Sequence, residues 1–248
     1  MTSESPITRD NAIRTKTSLG TSIFVLFRLL DPPLIWAILA RGIASNLINF
    51  LKHNSFSFDK HDSSFGPFSP QAAILFMTIA SSLKHVFWIL FVSERQMSVV
   101  SGLLFGGLEM DFDVLSSILF LLIDSSLTSI KSWVFFFGIF LFVFGFLLET
   151  VSEIQRRNFK CKPIGREKPY SHGLFAWARN INYGGHILWR SGFAMVSAGW
   201  IWAVIVGGLY FYYFAMSKVP VKDRHCQEKV GLRSLNPVQN HSICLHLV

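Results

Sequence analysis

Long apolar stretches alternate with polar, mostly basic connectors along the chain, and the stretches have the length of membrane-crossing helices rather than of strands. Thr21 to Ala40 is the first. It carries Arg28 and Asp31 near its centre, and Pro32 and Pro33 are expected to kink or break it, because proline lacks an amide hydrogen and clashes with the preceding turn. Residues 41–70 read as a polar loop ending in the turn-forming FGPFSP. Gln71 to Val92 is a second span, with Lys84 and His85 as polar intrusions. Val99 to Ile123 is a third, interrupted by Glu109, Asp111 and Asp113. Carboxylates facing lipid there would cost several kcal/mol, so either they face a cavity or the chain breaks into half-helices. Trp133 to Leu148 is the clearest span, sixteen residues without a polar side chain.

The last apolar stretch, Ser191 to Met216, holds twenty-six residues without one charge. About 20 residues cross the hydrocarbon core, so this run suits one tilted helix or a tight hairpin turning near Gly199. Flanking charge decides. Arg156, Arg157, Lys160, Lys162, Arg166 and Lys168 precede it, and Lys218, Lys222, Arg224 and Lys229 follow. The positive-inside rule puts both basic segments on the cytosolic face, which requires an even number of crossings between them. The expected architecture is therefore an all-α, polytopic membrane protein of about six membrane segments, ending in a helical hairpin. Residues 1–20 form a cytosolic tail, 21–217 the membrane domain and 218–248 a second cytosolic tail. The polar start lacks the apolar core of a signal peptide, so the first span is expected to act as its own insertion signal.

Composition supports this class. Hydrophobic residues make up 51% of the 248 and charged ones 15%, well below the quarter or so typical of soluble domains. The net charge of +8 could suggest nucleic acid, but the positives lie beside the spans and no nucleic-acid motif accompanies them. No nucleic-acid partner is expected. Cys161, Cys226 and Cys244 lack metal or disulfide spacing, so no metal site is expected either.

Candidate chemistry concentrates between Tyr170 and Arg190, YSHGLFAWARNINYGGHILWR, a polar and aromatic segment between two very apolar ones. Arg179, Asn180, Asn182, Tyr183, His186 and Arg190 at the mouth of such spans read as a ligand headgroup site, or as a connector whose arginines touch lipid phosphate. Just before it, Glu149, Glu153, Arg156 and Lys160 share one helical face. That face is either a solvated stripe of weak ion pairs or the wall of the same site. Gly184 and Gly185 allow close backbone approach. Tyr170 and Phe175 wall the site or belong to an interfacial aromatic belt. His186 reads as a capping or interfacial residue.

The run from Gly173 to Gly185, G-L-F-x-x-A-R-N-x-N-Y-x-G, resembles the R-H-x-N-Y-x-G signature of the steroid 5-alpha-reductase and sterol reductase superfamily. A looser version occurs in isoprenylcysteine carboxyl methyltransferases. The chain is most similar to the fungal branch of the DUF1295 membrane proteins, over roughly residues 19–231, with the motifs in 149–231. Asn180 replaces the motif's histidine. Gln155-Arg156-x-x-Phe159-Lys160 resembles the segment that supplies a basic pair to cofactor phosphates in the reductases. The resemblance implies Arg179 as a phosphate ligand, with Asn182 and Tyr183 at the nicotinamide. Asp223, Cys226, Gln227 and Lys229 match the family's terminal motif, but the sequence after residue 231 diverges from it.

The reading that follows is an integral membrane oxidoreductase, placed in the endoplasmic reticulum, that reduces a carbon–carbon double bond in a sterol or related membrane lipid with NADPH. Arg156, Lys160, Phe175, Arg179, Asn180, Asn182, Tyr183, Asp223, Cys226, Gln227 and Lys229 would bind the cofactor. Phosphates require Arg or Lys, and without a G-x-G-x-x-G after a strand a Rossmann carrier is excluded. The proton donor is unassigned among Tyr183, Glu149 and Glu109. Two alternatives stand beside it: an S-adenosylmethionine-dependent methyltransferase of a lipidated substrate, and a non-catalytic paralogue.

Overall fold

The computed structural model describes residues 18–41, 43, 69–93, 97–122, 133–161, 170, 172–178 and 180–220. Five helices carry the described chain: α1 (Ser18–Arg41), α2 (Pro70–Phe87, continued by a wide π turn, Trp88–Val92), α3 (Val99–Leu122), α4 (Trp133–Lys160) and α5 (Ile181–Tyr213, continued by a π turn, Phe214–Lys218). Among the described residues there is no strand. The architecture is all-α, as the hydropathy pattern requires. Four helices, α1, α2, α4 and α5, are long and apolar enough to cross a membrane by length and composition. Residues 44–68, most of the loop expected at 41–70, the basic segment 162–169 and the residues beyond 220 lie outside the described residues.

At two places where the sequence left a break open, the helix is continuous. Pro32 and Pro33 do not break the first span: α1 runs through both. In a membrane, neighbouring helices and local adjustment make up for the backbone bonds proline removes, and Ile35, Ile38 and Leu39, just beyond the prolines, lie in the core. The carboxylates of the third span do not break it either. The helix α3 is continuous, and Asp113 is fully buried against two arginines while Asp111 faces outward. Paired charges remove the cost that suggested a break.

The hairpin is present. Backbone angles leave the helical region at Ala198 and Gly199, where φ is −142° and +79°. A φ of +79° is open to glycine and strained for other residues. Ser197 Oγ donates to the carbonyls of Phe193 and Ala194 at 3.0 and 3.1 Å, closing the first arm. The second arm returns along the first. Tyr183 stacks on Phe214 at 4.5 Å, His186 meets Tyr210 at 5.0 Å, and a β-carbon at Gly207 would strike Ser191 Oγ at 2.5 Å.

Glycine sets the closest helix contacts. Gly138 and Gly145 of α4, and Gly185 and Gly192 of α5, are each seven residues apart and so lie on one face, about two turns apart. Gly145 packs on Gly185 and Gly138 on Gly192, so the backbones meet antiparallel. A β-carbon at Gly145 would lie 2.4 Å from the Trp189 nitrogen. The helices α1 and α3 run parallel, with Gly102 against Gly20 and Gly106 against Phe27. These pairings bring the ends of α2, α4 and both arms of α5 together at one end of the bundle.

Candidate functional site

At that end α2, α4 and α5 bring their polar side chains into one cluster. Glu149 is its hub. Lys84 forms an ion pair with it, Trp189 Nε1 donates to Oε2 at 2.5 Å, and His186 Nδ1 lies 3.2 Å from Oε1. One turn along α4, Glu153 accepts from Asn182 Nδ2 at 2.6 Å and from Arg156 at 2.5 Å. Glu149 and Glu153 are therefore inside the bundle edge, not a solvated stripe. Beside them, a cleft between α2 and α4 is lined by Lys84, Glu149 and Glu153, with Phe87, Trp88, Val92 and Thr150. The π turn Trp88–Val92 forms its apolar side, and such turns often mark functional sites.

Aromatic rings fix the cluster. Trp189 is fully buried; the Lys84 ammonium sits 4.3 Å and the Arg190 guanidinium 4.5 Å from its ring. His186 is enclosed by Trp189, Tyr210 and Phe214 at 5.0, 5.0 and 5.3 Å. Two buried polar atoms here have no hydrogen-bond partner, Asn182 Oδ1 and His186 Nε2.

A second polar cluster lies deeper, about one turn further into the bundle. Asp113 accepts from Arg28 at 3.1 Å and from Arg190 at 2.6 Å, and Asp31 pairs with Arg28. Glu109 pairs with Arg190, lies 3.7 Å from Arg28 and 3.9 Å from His85, and accepts from Tyr210 at 3.1 Å. Glu109, expected as a candidate acid at the site, belongs to this deeper group.

The other expected site residues divide. Asn182 enters the cluster. Tyr183 stacks on Phe214. Asn180 precedes α5, and its carbonyl accepts from Tyr183 and Gly184 nitrogens at 2.9 and 3.2 Å. Phe175 is buried in the short turn Gly173–Ala176, which Gln155 ties to α4 by accepting from the Leu174 nitrogen at 3.1 Å. Arg156 is drawn to Glu153, and Lys160 is exposed at the end of α4. Arg179, Asp223, Cys226, Gln227 and Lys229 lie outside the described residues.

Lys84 and Trp189 were not among the expected site residues, Glu153 was expected either on a solvated stripe or in the wall of the site, and His186 was read as a capping or interfacial residue. Lys84 did stand out as a charge inside an apolar span, and Glu153 shares a helical face with Glu149. Nothing in the linear pattern joins α2 to α4.

Residues 112–235 match the family described as protein of unknown function DUF1295. The chain belongs to that family. A relative of this DUF1295 protein, the probable O-methyltransferase ustE of Ustilaginoidea virens, is 28% identical over 232 residues, covering 88% of this chain and 82% of the relative. No solved structure matches it.

Proposed function

We propose that this DUF1295 protein is an integral membrane O-methyltransferase that uses S-adenosylmethionine on a membrane-borne hydroxyl compound. The supporting observation is the charge of the cleft. Phosphates of NADPH would need unopposed bases, yet the described cleft presents Glu149 and Glu153, while Lys84 and Arg156 are already paired to them. Carboxylates suit a donor that carries an ammonium and a sulfonium instead. The name of the fungal relative points the same way. The resemblance to sterol reductases rests on the motifs around Arg179 and Arg156; of their described bases, Arg156 is paired to Glu153 and Lys160 is exposed at the end of α4, away from the cleft's lining.

The polar groups beside the cleft have the chemistry that donor calls for. Glu153 and the unpartnered Asn182 Oδ1 would accept from its ammonium or ribose hydroxyls, and Arg156 would turn to its carboxylate. Trp88 and Phe87 line the cleft and would put aromatic rings near a bound cation. When bound, S-adenosylmethionine would supply an electrophilic methyl group to a substrate oxygen, with the electron pair of the carbon–sulfur bond left on sulfur. The proton lost by the hydroxyl goes to the Glu149–His186 pair, which Lys84 and Trp189 hold in place.

The test is binding to purified protein in nanodiscs. S-adenosylmethionine should bind, and Glu153→Gln should weaken it by about 1.5–3 kcal/mol, the range for hydrogen bonds to charged groups. Saturable NADPH binding without S-adenosylmethionine binding would overturn the methyltransferase reading in favour of the reductase.

A further inference from the structure

Trp177 is the most exposed large apolar side chain among the described residues, at 84%. The turn before it is tightly held. Gln155 Oε1 accepts from the Leu174 nitrogen at 3.1 Å, and Gly173, at φ +62°, passes so close that a β-carbon there would lie 2.6 Å from the same oxygen. Phe175 is buried beneath, and the Tyr170 ring packs on Phe175 and Phe159 at 5.6 and 5.0 Å. The Trp177 nitrogen donates to the Leu174 carbonyl at 3.1 Å and closes the turn. One exposed apolar residue means little by itself. The level at which this one stands gives it a meaning.

Depth along the bundle can be read from α4. Its exposed side chains are apolar from Trp133 through Val151, and the next exposed ones, Asn158 and Lys160, are polar. Gln155, which holds the turn, lies between those limits. It follows Trp133 by 22 positions in one unbroken helix, about 33 Å of axis at 1.5 Å per residue. At the usual tilt of about 20° this spans about 31 Å of bilayer, against a hydrocarbon core about 30 Å thick. The far boundary is marked as well. Gly138 meets Val196 across the α4–α5 seam, so Trp133, five positions before the one, and Trp200, four after the other, reach the same end of the bundle. Trp133 is 72% exposed and Trp200 56%. Of the seven tryptophans, the three most exposed therefore stand at two levels, one hydrocarbon thickness apart.

We propose that Trp177 and the turn Gly173–Ala176 form a membrane-surface anchor, with the indole in the lipid headgroup layer at the cleft end of the bundle. Indole suits that layer, because its ring is apolar while its N–H finds acceptors among the headgroups. Phe175 and Tyr170, for which the sequence left an aromatic belt open, brace the turn from inside instead. The turn leads straight into α5: the Ala178 carbonyl accepts from the Ile181 nitrogen at 3.2 Å, and Asn182 reaches Glu153 at 2.6 Å. The anchor thus holds the start of α5, and the Asn182–Glu153 bond, at the bilayer boundary. This inference does not depend on which cofactor the cleft takes.

The test is fluorescence quenching by lipid. The full chain, as wild type and as Trp177→Phe, is reconstituted in vesicles of phosphatidylcholine brominated near either the headgroup end or the methyl end of its acyl chains. Emission lost on the substitution belongs to Trp177. Bromine near the headgroup end should quench that component more strongly than bromine near the methyl end. Absence of quenching by either lipid would put the ring in water or against protein, and equal or stronger quenching from the methyl end would put it in the acyl core. Each of these results overturns the proposal. If Trp177→Phe does not fold, Trp177→Tyr gives the same subtraction and is read in the same way.

Discussion

Asp113 accepts from two guanidinium groups that arrive from different helices, Arg28 on α1 and Arg190 on the first arm of α5. Removing Arg28 leaves Asp31, at 0% exposure, without a cation, and leaves Asp113 with Arg190 alone. Arg28→Met should therefore cost about 3–5 kcal/mol, the usual effect of breaking a buried pair. Asp111→Asn, on the outward face of the same helix as Asp113, should change stability by no more than about 0.5 kcal/mol. Denaturation of both variants in detergent checks the contrast, and equal effects would remove the case for a paired interior. The charges themselves were plain in the sequence, as Arg28, Asp31, Lys84, His85 and Glu109 interrupt apolar runs. Their partners were not plain. Arg28 and Asp113 are 85 positions apart and Arg190 and Asp113 are 77, and a single sequence carries no signal that joins them. The carboxylates of α3 thus left a cavity or a broken helix open, when the answer was an unbroken helix facing two arginines elsewhere in the chain.

Each helix pair is held at close range by glycine, and there the cost of substitution is steric. At Gly145 and Gly192 a β-carbon would lie 2.4 Å from backbone nitrogen of the facing helix, which has no room to give. Gly145→Ala and Gly192→Ala should each lose about 1–3 kcal/mol through overpacking. Gly145→Ala should also weaken cofactor binding, because Glu149 lies one turn along and would move with the helix. Gly184 and Gly208 have nothing within 4 Å of a built β-carbon, so alanine there should be neutral or stabilising, gaining up to about 1 kcal/mol of helix propensity. Thermal unfolding of the four variants separates the two classes. Helix positions were legible from hydropathy to within a few residues, as with Val99 to Ile123 against α3 at Val99–Leu122. The turn at Gly199 was legible as well, because it follows from charge balance across a membrane. The α4–α5 glycine seam was not. Gly185 was read as a point of close backbone approach, but nothing in the sequence pairs it with Gly145, or Gly192 with Gly138.

At the scale of the whole molecule, sidedness follows from the hairpin. Cys161 is exposed immediately after α4, and the second arm of α5 returns to the end of the bundle from which the first arm leaves. A variant retaining Cys161 alone and another retaining Cys226 alone should both react with an impermeant maleimide on the cytosolic face of sealed microsomes. Protection of Cys226 with labelling of Cys161 would mean a single crossing between them. The glycine seam has a consequence of a different sort. Gly145 fixes the depth at which α4 meets α5, and Glu149 follows four positions later. One residue inserted or deleted between them would swing Glu149 about 100° around the helix and away from His186 and Trp189. Through natural variation the chain can therefore change length in its connectors, but from Gly145 to Glu149 it can change letters and not their number.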